Sequence, residues 1–355
     1  MLADPPTKNF AVERFGVLMS SNADQPHEAW GVLNPGGIRT PDGAMHLFPR
    51  LIAEGNYSRI GHARVRYDGD IPVGVDRLGI ALEPREPYEV SPGGGGVEDP
   101  RVVYVTALKL YVMTYTAFVP YEPRIAIAVS EDLSTWKRLG LVRYEASDDV
   151  PDLNLCGDKD ATFFPEVISD PRGVRSLGIL HRPTTRIHVE RGTPDVTKPP
   201  SGKEKHENIW ISYVALDAVL ADITSLTLVR RHERVMAPVQ PWEKNKVGAG
   251  SPPVRLAYGW VLPYHAVSTE NGHPRYCMGA AILDLERPSR VLYRTTRPIL
   301  EPQADYECNG LVADVVFPTA GDLHADGLLD VYYGAADRVI AAARVTLPSR
   351  LPADE

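Results

Sequence analysis

Short runs of β-branched and aromatic residues, each closed by Gly, Pro, Asp or Asn, recur from Gly31 to Val345, and helical periodicity between them is scarce. The 32 prolines and 29 glycines are spread along the 355 residues, which marks many turns and not one low-complexity tract. The runs gather into five groups of similar length, at about 31–66, 97–136, 160–228, 247–293 and 311–345. Five groups of three or four strands predict an all-β chain folded as a single five-bladed β-propeller over 1–355, with a long-looped β-sandwich as the alternative. Segment 184–208 breaks the rhythm with few apolar residues and reads as a loop insertion between two strands.

A formal charge of −8 argues against nucleic acid as a partner, because phosphate backbones are bound by clustered Lys and Arg. A single locally basic pocket for a small phosphate remains compatible with it. Cys156, Cys277 and Cys308 are odd in number and unpaired in spacing, so neither a disulfide framework nor a zinc cluster is expected. No histidine pair has the i, i+4 spacing of zinc proteases, and no metal site is expected. The first residues lack a charged-then-apolar signal, and no apolar run is long enough to cross a bilayer. The expectation is a soluble cytoplasmic protein without a membrane partner, with a homo-oligomer left open.

Chemistry-bearing residues concentrate at a few strand entrances. In Gly93-Gly-Gly-Gly-Val-Glu-Asp-Pro-Arg101, glycines strip one turn of side chains, and Glu98 and Asp99 meet a stiffening proline and the cation Arg101 before a strand. An acid so placed is a candidate general acid, and a surface turn with a local ion pair is the other reading. Lys159, between Asp158 and Asp160, could reach an anion or could complete a charged turn. Arg182, in His181-Arg-Pro after an apolar run, is a second candidate cation, or an arginine reaching to solvent. In Lys246-Val-Gly-Ala-Gly-Ser-Pro-Pro the glycines admit close backbone approach and Lys246 adds charge, although the spacing is not that of a P-loop. Tyr264-His265 follows on the next strand, where a lone histidine is commonly a satisfied core residue. No Gly-x-Ser-x-Gly elbow is present, so acid catalysis with anion binding is the theme these segments share.

Taken in order, Gly31-Val-Leu-Asn-Pro-Gly, Ser58-Arg-Ile-Gly, Val97-Glu-Asp-Pro-Arg, Lys159-Asp-Ala-Thr-Phe-Phe-Pro-Glu, His181-Arg-Pro, the Lys246 segment, Gly259-Trp-Val-Leu-Pro-Tyr-His-Ala-Val, Tyr276-Cys-Met-Gly-Ala-Ala and Tyr332-Tyr-Gly-Ala-Ala-Asp resemble glycoside hydrolase family 130. The resemblance implies a five-bladed propeller acting on β-mannosides, either as an inverting phosphorylase or as a β-mannosidase. It implies that Asp99 is the catalytic acid, whose proton travels through a hydroxyl of the mannosyl unit. Arg182, Lys246, His265 and Tyr276 match phosphate-binding positions of the family's phosphorylases, and Lys159 stands where the family has an arginine. Lysine keeps that charge and loses the two-pronged donor. Asn34, Arg59 and Asp337 match contacts to the mannosyl unit. Inorganic phosphate is the implied co-substrate, without a further cofactor, and retention of the basic set favours phosphorolysis over hydrolysis. A non-catalytic carbohydrate-binding propeller, from a different class, would have no need of Asp99.

Overall fold

A computed structural model describes residues 9–90, 94–119, 122–147, 150, 152–184, 207–270 and 272–353. The chain is all-β. Among the described residues, and apart from the short strands Arg143–Tyr144, Ile168–Ser169 and Val254–Leu256, the strands form five antiparallel four-stranded units. The first is Gly31–Arg39, Met45–Ala53, Tyr57–Asp68 and Ile71–Leu82, and the second is Gly95–Val105, Leu110–Val119, Glu122–Ser130 and Lys137–Leu141. These two share one sheet through a short parallel pairing of Tyr57 and Ser58 with Gly95 and Gly96. The third is Gly157–Phe163, Arg175–Thr184, Ile209–Ala215 and Leu228–Met236, and the fourth is Lys246–Ala249, Gly259–Glu270, His273–Leu283 and Val291–Arg294. The fifth takes Val316–Leu323, Leu328–Ala335 and Val339–Thr346 from the end of the chain and Ala11–Met19 from its start, Ala11 pairing with Thr346.

The inner strands are buried on both faces, which is why they read as unbroken apolar runs and not as alternations. Adjacent residues serve opposite neighbours. Leu180 packs in the core shared by the third and fourth units while Ile179 packs in that shared by the second and third. Tyr333 faces the fourth unit and Tyr332 the first. Separate cores thus lie between units one and two, two and three, three and four, four and five, and five and one. The last of these closes a ring.

Three units are fastened by the same device, a buried glutamate held by a tyrosine of an inner strand, an arginine of the outermost strand and a pair of backbone N–H groups. Glu89 accepts from Tyr115 and Arg138, Glu243 from Tyr264 with Arg294 alongside at 2.7 Å, and Glu307 from Tyr333 and Arg14. A carboxylate this well supplied with donors tolerates complete burial.

Four outermost strands escape the sequence grouping: Ala11–Met19, Ile71–Leu82, Lys137–Leu141 and, but for its first residue, Leu228–Met236. Ala11–Met19 and Ile71–Leu82 are half exposed, and the latter carries Pro72, Gly74 and Gly79, so neither shows a buried pattern. Most of the proposed insertion, residues 185–206, lies outside the described residues, between the strands ending at Thr184 and beginning at Ile209.

Candidate active site

The first strands of the first, second and third units break register at equivalent places, between Leu33 and Gly36, Glu98 and Arg101, and Lys159 and Thr162. Each break holds a left-handed residue: Asn34 at φ 44°, Asp99 at φ 48° and Asp160 at φ 56°. Asn and Asp are the side chains that best tolerate this conformation, and the bulge frees the residue from the ladder. Strained backbone of this kind costs about 1–3 kcal/mol per residue and is concentrated at functional sites.

On one side of the site stands Asp99, buried and 2.9 Å from Asn34 Nδ2 and 3.2 Å from Arg50 Nη1. Arg50 also reaches Glu98 at 2.5 Å and Ser58 Oγ at 2.9 Å. Lys159 Nζ is 3.8 Å from Glu98 Oε2, over the Phe118 ring. Burial opposes the charge of Asp99, yet Arg50, Lys159 and Arg101 outweigh it and hold the carboxyl below its ordinary value. Asp337, left-handed at φ 51°, behaves oppositely: burial, reinforced by Asp99 and Glu98, pushes it up to about 6 against the pull of Arg50 and Lys159. The site thus holds two carboxyls whose surroundings drive their affinities for protons apart.

On the other side, Asp160 is the hub. Arg182 Nε donates to it at 2.5 Å, His265 Nε2 lies 3.4 Å away, and Arg101 Nη2 lies 3.7 Å away. Burial disfavours the Asp160 charge, but Arg182, His265 and Arg101 prevail and hold it well below the usual range. His265 is fully buried, its Nε2 facing Asp160 and its Nδ1 without a hydrogen-bond partner, and burial, despite Asp160, lowers it to about 4, so it is neutral at pH 7. Tyr276 lies 6.3 Å from His265 between ring centroids, under Lys246 Nζ at 5.3 Å, and burial pushes its hydroxyl up to about 12. Glu207 also pairs with Arg182. The cluster therefore offers cationic and neutral donors around a buried nitrogen that lacks a partner, a fit for an anion.

Arg182, Lys246, His265 and Tyr276 are thus brought together, and Asn34, Asp99 and Asp337 form the neighbouring group. Lys159 pairs in register with Arg182 but turns its ammonium toward Glu98, between the two groups. Arg59 stands apart from the Asn34 and Asp99 contacts: its guanidinium bonds Glu83 at 2.6 Å and covers Tyr57, while Arg50, one strand earlier and missed in the sequence, reaches Asp99. Asp160 was legible only as a flank of Lys159. Gly248 is a further requirement, since a Cβ there would come within 2.3 Å of His265 and 2.4 Å of Asp160. The described glycines of the run near Asp99 serve strand packing. Gly95 and Gly96 have φ of 124°, and a Cβ would meet Phe118 O at 2.4 Å and Ser58 O at 2.2 Å, so they permit close strand approach; Gly93 lies outside the described residues. The one metal-like grouping among the described residues, Asp322, His324 and Asp330, sits at the other end of the fifth unit's hairpin, its carboxylates matched by Arg39 and Arg344.

The profile of the family described as beta-1,4-mannooligosaccharide phosphorylase, Glyco_hydro_130, matches residues 10–349. The chain belongs to glycoside hydrolase family 130. Among family 130 relatives, a 1,2-beta-oligomannan phosphorylase of Thermoanaerobacter sp. (strain X514) is 30% identical over 334 residues, 92% of this chain and 93% of that one. A beta-1,4-mannooligosaccharide phosphorylase of Ruminococcus albus is 28% identical over 288 residues, 81% of this chain and 73% of that one. The solved structure of a beta-1,2-mannobiose phosphorylase from Listeria innocua with beta-1,2-mannobiose has a TM-score of 0.70 at 23% identity, covering 95% of this chain and 97% of that one, a likeness of fold.

Proposed function

We propose that this chain is an inverting β-mannoside phosphorylase, built as a single five-bladed β-propeller whose blades are the five four-stranded units. The observation that carries the reading is the neighbourhood of a buried, hydrogen-bonded carboxyl, Asp99, and a donor cluster in which His265 Nδ1 has no hydrogen-bond partner. The relatives' names, phosphorylases of 1,2- and 1,4-linked β-mannosides, support the same reaction class.

Phosphate, held by Arg182, Lys246, His265 and Tyr276 with Lys159 at the margin, attacks the anomeric carbon from the face opposite the leaving sugar. Asp99 supplies the proton that the glycosidic oxygen takes up, through a hydroxyl of the mannosyl unit. The products are α-mannose 1-phosphate and a free sugar. One protein carboxyl suffices because phosphate replaces the water that an inverting hydrolase must activate. Asn34 and Asp337 hold the mannosyl unit, with Arg50 nearer to it than Arg59. Phosphate is the co-substrate, and the scheme requires no further cofactor.

The test is incubation with β-1,2- and β-1,4-linked mannosides, with and without inorganic phosphate, followed by product identification. Mannose 1-phosphate formed only with phosphate supports the reading; free mannose released equally in both rejects it. One observation favours a second reading, a β-mannosidase: Glu207 lies against Arg182, where an anion would otherwise sit, and could activate water.

A further inference from the structure

His181 precedes Arg182, yet the proposed reaction leaves it unused. It is fully buried and lies in a chain of short hydrogen bonds: Asp158 Oδ2 to His181 Nδ1 at 2.7 Å, His181 Nε2 to Ser212 Oγ at 2.8 Å, Ser212 Oγ to His232 Nδ1 at 2.7 Å, and His232 Nε2 to Glu145 O at 2.9 Å. The order Asp, His, Ser is that of a nucleophilic triad, but Ser212 is 0% exposed and no substrate can reach it.

The protons of this chain can be counted. The Glu145 carbonyl only accepts, so His232 Nε2 carries hydrogen. A carboxylate at Asp158, which accepts from Tyr144 OH at 2.6 Å and from the Arg182 amide at 3.1 Å, requires His181 Nδ1 to donate as well. Ser212 then has one hydrogen for two imidazole nitrogens, and one of those nitrogens must bear its own. Satisfying every bond therefore takes one imidazolium. His181, against the carboxylate, is its place, since His232 is held below its ordinary value by burial and by the facing His181.

We propose that Asp158, His181, Ser212 and His232 are one charge-neutral unit, a carboxylate and an imidazolium joined through a serine hydroxyl, that positions Arg182 and screens the adjoining phosphate pocket from the Asp158 charge. The proposal rests on the phosphorylase reading above. Asp158 and His181 are positioning residues: Asp158 Oδ1 fixes the amide of Arg182, and Asp158 directly precedes Lys159. Among the described residues Tyr144, Cys156 and Glu145 also bear on Asp158 or His232, and burial raises the first two of these.

The test compares KM for inorganic phosphate and for the mannoside in the wild-type protein and Asp158→Asn at a single pH near neutrality. The amide keeps the shape and needs no compensating proton. Phosphate ionisation is common to both proteins, so the ratio of their phosphate KM values isolates the unit. With the wild-type unit neutral, the two phosphate KM values should agree within about threefold, as should the mannoside values; a variant that binds phosphate about tenfold more tightly, as removal of an uncompensated charge would give, overturns the proposal. Should the variant misfold, nitrogen-15 NMR of histidine-labelled wild-type protein near neutrality decides: three of the four ring nitrogens of His181 and His232 bear hydrogen in the proposed unit, and two would overturn it. A wild-type protein indifferent to phosphate defeats the phosphorylase reading and the proposal together, an outcome distinct from tighter phosphate binding by the variant of a phosphate-dependent enzyme.

Discussion

Arg50 Nη1 lies 3.2 Å from Asp99 Oδ1, so the resting site pairs its candidate acid with a cation that discourages protonation. A general acid must carry its proton when the bond breaks. A bound phosphate dianion adds negative charge nearby and offsets Lys159 and Arg101, which raises the proton affinity of Asp99. The alkaline limb of the kcat profile, which reports the occupied enzyme, should lie at higher pH than that of kcat/KM, which reports the free one. Asp99→Asn should reduce kcat by about 10²–10⁴-fold with an unchanged melting temperature. Undiminished turnover in that folded variant would remove Asp99 from the mechanism.

Asp337 predicts a pH-dependent stability of definite sign. Burial raises it from 3.8 to about 6, so the folded chain binds this proton more tightly than the unfolded chain. Stability is therefore lost as pH climbs between those values, by roughly 3 kcal/mol for this group alone. Asp337→Asn escapes the loss. It should unfold at higher denaturant than wild type at pH 7, with the advantage gone near about pH 4, and it should turn over more slowly because a contact to the mannosyl unit has changed. Urea melts at the two pH values check this; an equal difference at both would show that Asp337 does not titrate in the window.

The all-β class and most strands were legible because their apolar runs are continuous, a direct imprint of burial on both faces. Ala11–Met19 was not, because membership of the fifth unit depends on a pairing with Val339–Thr346 across nearly the whole chain, which no local pattern announces. The same holds for Arg50, an unremarkable strand arginine until Glu98 and Asp99 arrive from the next unit. Asp160 left a signal that can be read in retrospect: Asn34, Asp99 and Asp160 each fall in a first strand with a small residue or proline close behind, and each occupies a bulge. The partner of a buried charge is the part of the site that sequence hides best, since it is chosen by tertiary contact alone.

The pairing of Arg14 with Glu307 joins the outermost strand of the fifth unit to its interior. Glu307 is fully buried and accepts from Tyr333 and from the amides of Gln303 and Ala304 as well. Glu307→Ala strands these donors and should cost about 3–5 kcal/mol. Glu83→Ala removes the exposed partner of Arg59 and should cost under about 1 kcal/mol. Chemical denaturation of the two variants gives the comparison, and equal losses would deny Glu307 its role in fastening the ring.

Glu207 gives opposite expectations under the two proposed reactions. Its carboxylate pairs with Arg182, which Asp160 already engages, so one cation serves two acids in the free site. If phosphate is the nucleophile, Glu207 competes with it for Arg182, and Glu207→Gln removes the competitor without removing a chemical group the reaction needs. Phosphate KM should then fall, by about tenfold if the freed interaction is worth about 1.4 kcal/mol, while kcat changes little. If water is the nucleophile, Glu207 is the group that activates it, and the same substitution should lower kcat by about 10²-fold or more. Initial rates over a phosphate series, measured for wild type and variant side by side, separate these outcomes. A large loss of kcat with no change in phosphate dependence would shift the assignment to the hydrolase, with Asp99 and Glu207 as its acid and base.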